Sequence, residues 1–234
     1  MALTDYEKYI RTEELLSLQK SPEQLTCHDE MQFQIVHQAH ELYMKQIEHE
    51  LRFVCRLLNE NDAARAVTHL KRVSMIQRVL LQSVDLLDTM APTDYMTVRT
   101  GLGRGSGQES PGFRTMLKLP GELVWPAFSA FLERQGKTLR QVYDDPHANH
   151  QLFQLCEGLT DYDQLLQTWR SRHLMLVYRI IGTGTPSLKG KHSELLAKGM
   201  VTRFFPALWD VRDDVFGDWT KAQEAKGSDT GYHG

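Results

Sequence analysis

CHDEMQFQIVHQAHELYMKQIEHEL, residues 27–51, sets apolar side chains at the steps of a helix. From Asp29 to Leu58, the residues Val36, His40, Tyr43, Ile47, Leu51, Val54 and Leu58 recur at intervals of three and four, which lines them along one helical face. The same stretch carries His28, His37, His40 and His49. His37 follows Phe33 by one turn and shares its face. An imidazole therefore stands where a plain core helix places hydrocarbon, and a buried polar ring must either find partners or serve a ligand.

Reading outward, the break NEND at 59–62 is followed by Val67, Leu70, Val73, Ile76, Leu80, Val84 and Leu87 at the same spacing, up to Met90. A short break between two stripes predicts an antiparallel helical pair. Residues 91–113, APTDYMTVRTGLGRGSGQESPGF, place Asp94 as a turn or N-cap residue and then Gly101, Gly103, Gly105 and Gly107 in an irregular loop. A helix is expected over Gly121–Arg134, another from near Pro146, and a strong one over Thr160–Ile181. In that last helix Leu166, Trp169, His173, Leu176, Val177 and Ile180 form the stripe, and GTGTPS at 182–187 stops it. A final helix near 192–215 carries Leu195, Leu196, Val201, Phe204, Phe205, Leu208 and Trp209. No strand alternation and no internal repeat is found. The reading is an all-α helical bundle forming one domain over residues 1–220, with the polar stretch 221–234 as a disordered tail.

Composition narrows the class. The 234 residues are 41% hydrophobic, enough for one sizeable core. A net charge of −3 gives no electrostatic footprint for nucleic acid or an anionic membrane. The N-terminus MALTDYEKYIRTEELL is charged from residue 5 and lacks the apolar core of a secretory signal, and no apolar run is long enough to cross a bilayer. The three cysteines, Cys27, Cys55 and Cys156, are odd in number and widely spaced, as expected of reduced thiols in a cytoplasmic protein.

His37 and His173 are the candidates for chemistry, because each interrupts an apolar face. Each is either a core histidine with satisfied ring nitrogens or a ligand-facing one. Spacing tests the metal schemes. Glu-x-x-His pairs of a di-iron bundle are absent, HELYM is not HExxH because Met44 holds the second ligand position, and the pairs His37/His40 and His147/His150 lack further ligands at zinc spacing. A one-histidine site remains, and a single imidazole is what b-type haem needs from a helical fold. Spacing is compatible with haem and goes no further. GLGRGSG follows no strand and lacks GK[ST], so it is not read as a phosphate loop.

From Tyr6 to about Arg212 the chain resembles the haem-dependent tryptophan 2,3-dioxygenase family. HDEMQFQIVHQAHELYMKQIEHEL resembles its HDE…HQxxELW-x-K signature, with Tyr43 in place of the usual tryptophan. RHLMLVYRIIGTGT is similar to its proximal-histidine helix and Gly-Thr-Gly loop, TDYMTVRTGLGRGSG to its arginine-bearing helix and Ser-Gly turn, and RFFPALWDVR also fits. The resemblance implies a pocket for haem b between helices, with His173 as the proximal iron ligand and O2 as co-substrate. His37 matches the distal histidine at the indole nitrogen and Phe33 a wall of that pocket. Arg99 matches the carboxylate clamp, a task suited to a guanidinium fork, with Tyr95 and Leu102 one turn to either side. Ser106 and Gly107 match the turn beside the cofactor. Tyr6, Tyr9 and Ile10 match an N-terminal segment that closes over a neighbouring subunit's site, which implies a homo-oligomer, a tetramer in the family.

The chain departs from the pattern in two places. The family's loop reads Gly-Thr-Gly-Gly-Ser two residues farther from the histidine, so Thr185 is the match for the residue holding the substrate ammonium, with Thr183 and Ser187 as rivals. The region near 136–150 is also short. The expected reaction inserts O2 across the indole C2–C3 bond of tryptophan or a substituted tryptophan, giving an N-formylkynurenine-type product of tryptophan catabolism. The altered loop motivates a haem monooxygenase of the same superfamily, acting on tyrosine or an indole without ring cleavage, as the alternative. A non-catalytic haem- or indole-binding protein is the third.

Overall fold

The computed structural model describes residues 2–103, 105–183 and 202–225. Every regular element among them is helical. Three long helices dominate: α3 (Asp29–Asn59), α4 (Ala63–Leu87) and α9 (His150–Ile181). Around them lie α1 (Asp5–Ile10), α2 (Thr12–Leu16), α5 (Pro92–Gly101), α6 (Pro111–Leu119), α7 (Trp125–Arg134), α8 (Leu139–Asp144) and α10 (Pro206–Ala225).

The α3–α4 hairpin follows from its sequence. Asn61 turns the chain at φ 59, a left-handed conformation that asparagine tolerates better than most residues. Asp62 then caps α4 by accepting a hydrogen bond from the Arg65 amide at 3.1 Å. Of the expected α3 stripe only Tyr43 stays partly exposed, and the whole expected α4 stripe is buried. α4 packs on α3 along one side and on α9 along the other. Leu51, Val54 and Leu58 of α3 thus share one core with Leu70, Val73 and Leu80 of α4 and Leu155, Leu159 and Leu166 of α9.

Several boundaries differ from the sequence reading. The helix expected from near Pro146 and that expected over 160–181 are one, because nothing between His150 and Ile181 breaks the ladder. Gly158 lies inside it for a packing reason: a Cβ there would stand 3.1 Å from Leu70 Cβ and Cδ1, so glycine brings α9 close onto α4. The helix expected over 121–134 is α7 alone. It follows a π-helical turn at Pro120–Val124, where Pro120 cannot donate to the α ladder. The short region 136–150 contains α8, opened by a capping box between Thr138 and Gln141. Asp94 is not a cap: α5 starts at Pro92 with Ala91 as N-cap, and Asp94 sits in its first turn. The final helix begins at Pro206 and runs to Ala225, into the stretch expected as tail, because Thr220–Ala225 contains no glycine or proline. Leu195, Leu196 and Val201 lie outside the described residues.

Buried polar groups tie the periphery to the core. Asp163 Oδ2 accepts from the Phe204 amide (2.9 Å), the Phe205 amide (3.3 Å) and Trp209 Nε1 (3.0 Å), fixing the start of α10 on α9. Arg172 bridges Asp85 and Asp88 near the end of α4. All three cysteines are unpaired. No helix among the described residues is long and apolar enough to cross a membrane.

Candidate active site

The histidines that interrupt apolar stripes meet at one end of the bundle. α3 sets Phe33, His37 and His40 at i, i+4 and i+7, which stacks them along one face. Phe33 and His37 rings lie 4.0 Å apart, and Tyr95 of α5 reaches Phe33 at 6.3 Å. His37 and His40 lie 6.3 Å apart, and His40 meets Trp169 of α9 edge-on at 5.9 Å. Trp169 stacks on His173 at 5.5 Å with 16° between the rings, and Phe113 of α6 packs against Trp169 at 5.5 Å. Four helices thereby build one aromatic cluster.

Hydrogen bonds fix the tautomers. His37 Nδ1 is 2.7 Å from the Phe33 carbonyl. A carbonyl only accepts, so Nδ1 carries the proton and Nε2 presents a lone pair. Burial lowers the His37 pKa, against opposing pushes from the Phe33 carbonyl and the nearby Glu41 charge, so the ring is neutral at pH 7. In His40, Nε2 lies 2.6 Å from Ser83 Oγ. Ser83 spends its only proton on the Leu80 carbonyl at 2.8 Å, so His40 Nε2–H is the donor. Burial first, then the neighbouring His37 and His173, hold His40 down at about 4.

His173 differs from both. Burial, with a smaller contribution from His37, lowers its pKa to about 4, so it is neutral. Neither ring nitrogen has a hydrogen-bond partner among the described residues, and the Nε1–H of its neighbour Trp169 is buried without one. A neutral imidazole with a ring nitrogen unspent is in the protonation state that a metal ligand requires. Among the described residues no three His, Cys, Asp or Glu side chains converge as a ligand set.

Arg99 lies half-buried on α5, and its charge tempers the rise that burial causes in the Tyr95 pKa. Leu102 forms the C-terminal cap of α5 and is exposed. Ser106 caps the short 3-10 turn Gly107–Glu109, receiving a hydrogen bond from the Gln108 amide at 3.3 Å. Thr183 follows α9 in an exposed turn behind Gly182, whose φ of 78 favours glycine. Thr185 and Ser187 lie outside the described residues. Tyr6 and Tyr9 are 71% and 89% exposed, and with Ile10 they sit on a helix that buries nothing, apart from this chain's own cluster.

Three features went unread in the sequence. Helical spacing puts His40 and Trp169 on apolar stripes and gives neither a role at a ligand. Gly112 escaped notice: a Cβ there would meet Met44 Cβ and Glu41 Oε2 at 2.8 Å. Glu41 accepts hydrogen bonds from the Gly112 amide at 3.0 Å and from Ser110 Oγ, so it clasps the start of α6, which brings Phe113 to Trp169. The spacing of a signature segment cannot show such a close approach; only the fold reveals it.

Comparison with known proteins identifies the family. A family model described as tryptophan 2,3-dioxygenase matches residues 1–123, the part that holds Phe33, His37, Tyr95 and Arg99. The tryptophan 2,3-dioxygenase of Caulobacter vibrioides is 34% identical, over 88% of this chain and 97% of the relative. That of Myxococcus xanthus is 31% identical over 91% and 90%, and that of Herpetosiphon aurantiacus 30% over 92% and 99%. The chain, with its neutral histidines facing one cluster from α3 and α9, belongs to the tryptophan 2,3-dioxygenase family.

Proposed function

We propose that this chain is a haem-dependent dioxygenase that adds both atoms of O2 across the indole C2–C3 bond of L-tryptophan or a substituted tryptophan, giving an N-formylkynurenine-type product. The observation that carries the proposal is the pair of neutral imidazoles: His37 with Nδ1 tied to the Phe33 carbonyl, and His173 with no hydrogen bond among the described residues. One is set up to accept a hydrogen bond from a ligand and the other to bind a metal. The residues present fit haem b, which asks a helical pocket for one neutral imidazole amid apolar and aromatic walls. His173 would hold it, with Ser106 and Gly107 beside it. Bound haem would supply the iron that activates O2, since neither O2 nor a closed-shell indole reacts readily alone.

The protein's own part is positioning. The fork of Arg99 takes the substrate carboxylate and the loop at Thr185 the ammonium, while Phe33, Tyr95 and Leu102 wall the indole. His37 Nε2 accepts the indole N–H. With its pKa lowered by burial the ring is a weak base, so it orients that proton rather than removing it. Tyr6, Tyr9 and Ile10, too exposed to serve their own chain's core, close a neighbouring copy's pocket in a cytoplasmic homotetramer.

The test is anaerobic reduction of the haem-loaded protein, then addition of O2 and tryptophan with mass analysis. Ring opening with gain of two oxygen atoms is expected. Gain of one atom without ring opening, or binding without turnover, overturns the proposal.

A further inference from the structure

Arg170 is a cation on the wrong side of its helix. It stands one turn from Leu166 and one turn from Leu174, both buried, and one turn before His173, so it shares the inward face of α9. It is half-buried, and burial lowers its pKa from the ordinary arginine value. Its hydrogen bonding among the described residues is a single long contact of 3.4 Å to Gln167 Oε1. No carboxylate among the described residues answers it. The neighbouring Arg172 shows the usual solution, with Asp85 and Asp88 both on its guanidinium. Asp163, two turns back on the same face, is the buried carboxylate within the helix, and it is committed to two backbone amides and the Trp209 indole. Desolvating a guanidinium without a counter-charge costs free energy that native folds avoid unless an anion completes the site.

Resting on the reading of His173 as the haem ligand, we propose that Arg170 anchors a propionate carboxylate of that haem. A side chain one helical turn from the axial ligand is offset from the metal, and its length carries the guanidinium toward the rim of a macrocycle rather than its centre. The rim of haem b carries two carboxylates and otherwise only hydrocarbon. A planar fork of N–H donors matches a carboxylate in charge and geometry, and the half-buried setting strengthens the bond relative to one in water. The same contact would turn haem about the iron–His173 axis into one orientation, which an apolar pocket alone does not specify.

The experiment compares haem with haem dimethyl ester, in which both propionates are capped, on the full chain prepared without haem. Wild type is expected to hold haem roughly ten- to a hundredfold more tightly than the ester. R170Q should lose about that factor for haem, lose most of the preference, and keep a histidine-ligated ferrous spectrum. R170K, a point charge without the fork, should fall between. R170Q with unchanged haem affinity and undiminished preference overturns the role of Arg170 while leaving the dioxygenase reading intact. Wild type that takes up no histidine-ligated haem overturns both. Should R170Q fail to fold, equal wild-type affinities for haem and ester overturn the proposal, and a wild-type preference with an intermediate R170K value upholds it.

Discussion

The two ends of the α3–α4 hairpin treat buried polar side chains in opposite ways. At the far end Glu50 is buried, and its carboxylate takes the Nδ1–H of His69 at 2.6 Å and the Arg72 guanidinium at 2.9 Å. Burial pushes the Glu50 carboxyl up, but the bonds from His69 and Arg72 outweigh it and hold it below the ordinary value. His69 packs edge-on against Phe53 at 4.6 Å, and Arg56 lies over the other ring at 4.8 Å. Every charge there has its partner. At the near end, among the described residues, His173 has no hydrogen bond, the Trp169 N–H has none, and Arg170 has no carboxylate. A cluster that closes on itself stabilises the fold. One that leaves its groups unspent does so at a cost in stability and retains them for ligands.

The sharpest way to break this contrast is His173→Ala. No hydrogen bond among the described residues depends on the imidazole, so the haem-free protein should melt within a few degrees of wild type, while histidine-ligated haem is lost completely. A large drop in melting temperature, or a surviving normal ferrous spectrum, would show that His173 belongs with the self-satisfied residues.

Arg99→Lys comes next. An ammonium cannot make two parallel bonds to a carboxylate, so kcat/KM for tryptophan should fall roughly ten- to a hundredfold. Indole analogues lacking the carboxylate should be poor substrates already and should not notice the change. Equal losses for both classes would mean that the substitution damaged the bundle rather than the clamp.

How far the sequence reached follows the same division. The α3 and α4 stripes were legible because helical period and burial report the same thing, as Val36, Ile47 and Leu51 show. His37 and His173 stood out because imidazoles interrupted those stripes. Arg170 interrupts one too, yet a reading that lists apolar positions steps from Leu166 and Trp169 to His173 and passes over it. Gly158 and Gly112 were opaque for another reason. Their meaning is a neighbour's surface, Leu70 in one case and Met44 in the other, and no local pattern contains that surface. Whether Thr183, Thr185 or Ser187 meets a substrate is likewise decided by loop shape, on which periodicity is silent.

Glu50→Ala tests the closed end. It strands a partly buried imidazole and removes the partner of Arg72, so the protein should lose about 2 kcal/mol of stability, with no change in haem affinity. The loss should be present at neutral pH and shrink below about pH 4.5, where the carboxyl of the unfolded chain takes up its proton before the folded one. Chemical denaturation beside a haem titration checks both halves. Weakened haem binding would couple the two ends and spoil the contrast.

The smallest and most discriminating effect concerns His40, which belongs partly to each class: its Nε2–H is spent on Ser83 while its other nitrogen has no hydrogen bond among the described residues. Its folded pKa is held at about 4, below the value near 6.5 expected unfolded. The unfolded chain therefore binds more protons between those limits, so stability contributed by neutral His40 is fully present above about pH 6.5 and is lost as pH falls toward 4. In the haem-free protein His40→Gln should flatten this stretch of the stability profile, removing on the order of 1–2 kcal/mol of pH dependence. His37 and His173 share the low-pH slope, so some of it should survive in the mutant. Glu30, at the start of the same helix, lies outside the window: Lys20 and Thr26 hold its carboxyl down at about 2. A mutant whose profile between pH 4 and 6.5 matches wild type would show that His40 is solvated in the folded state, and would move it out of the cluster that the ring contacts describe.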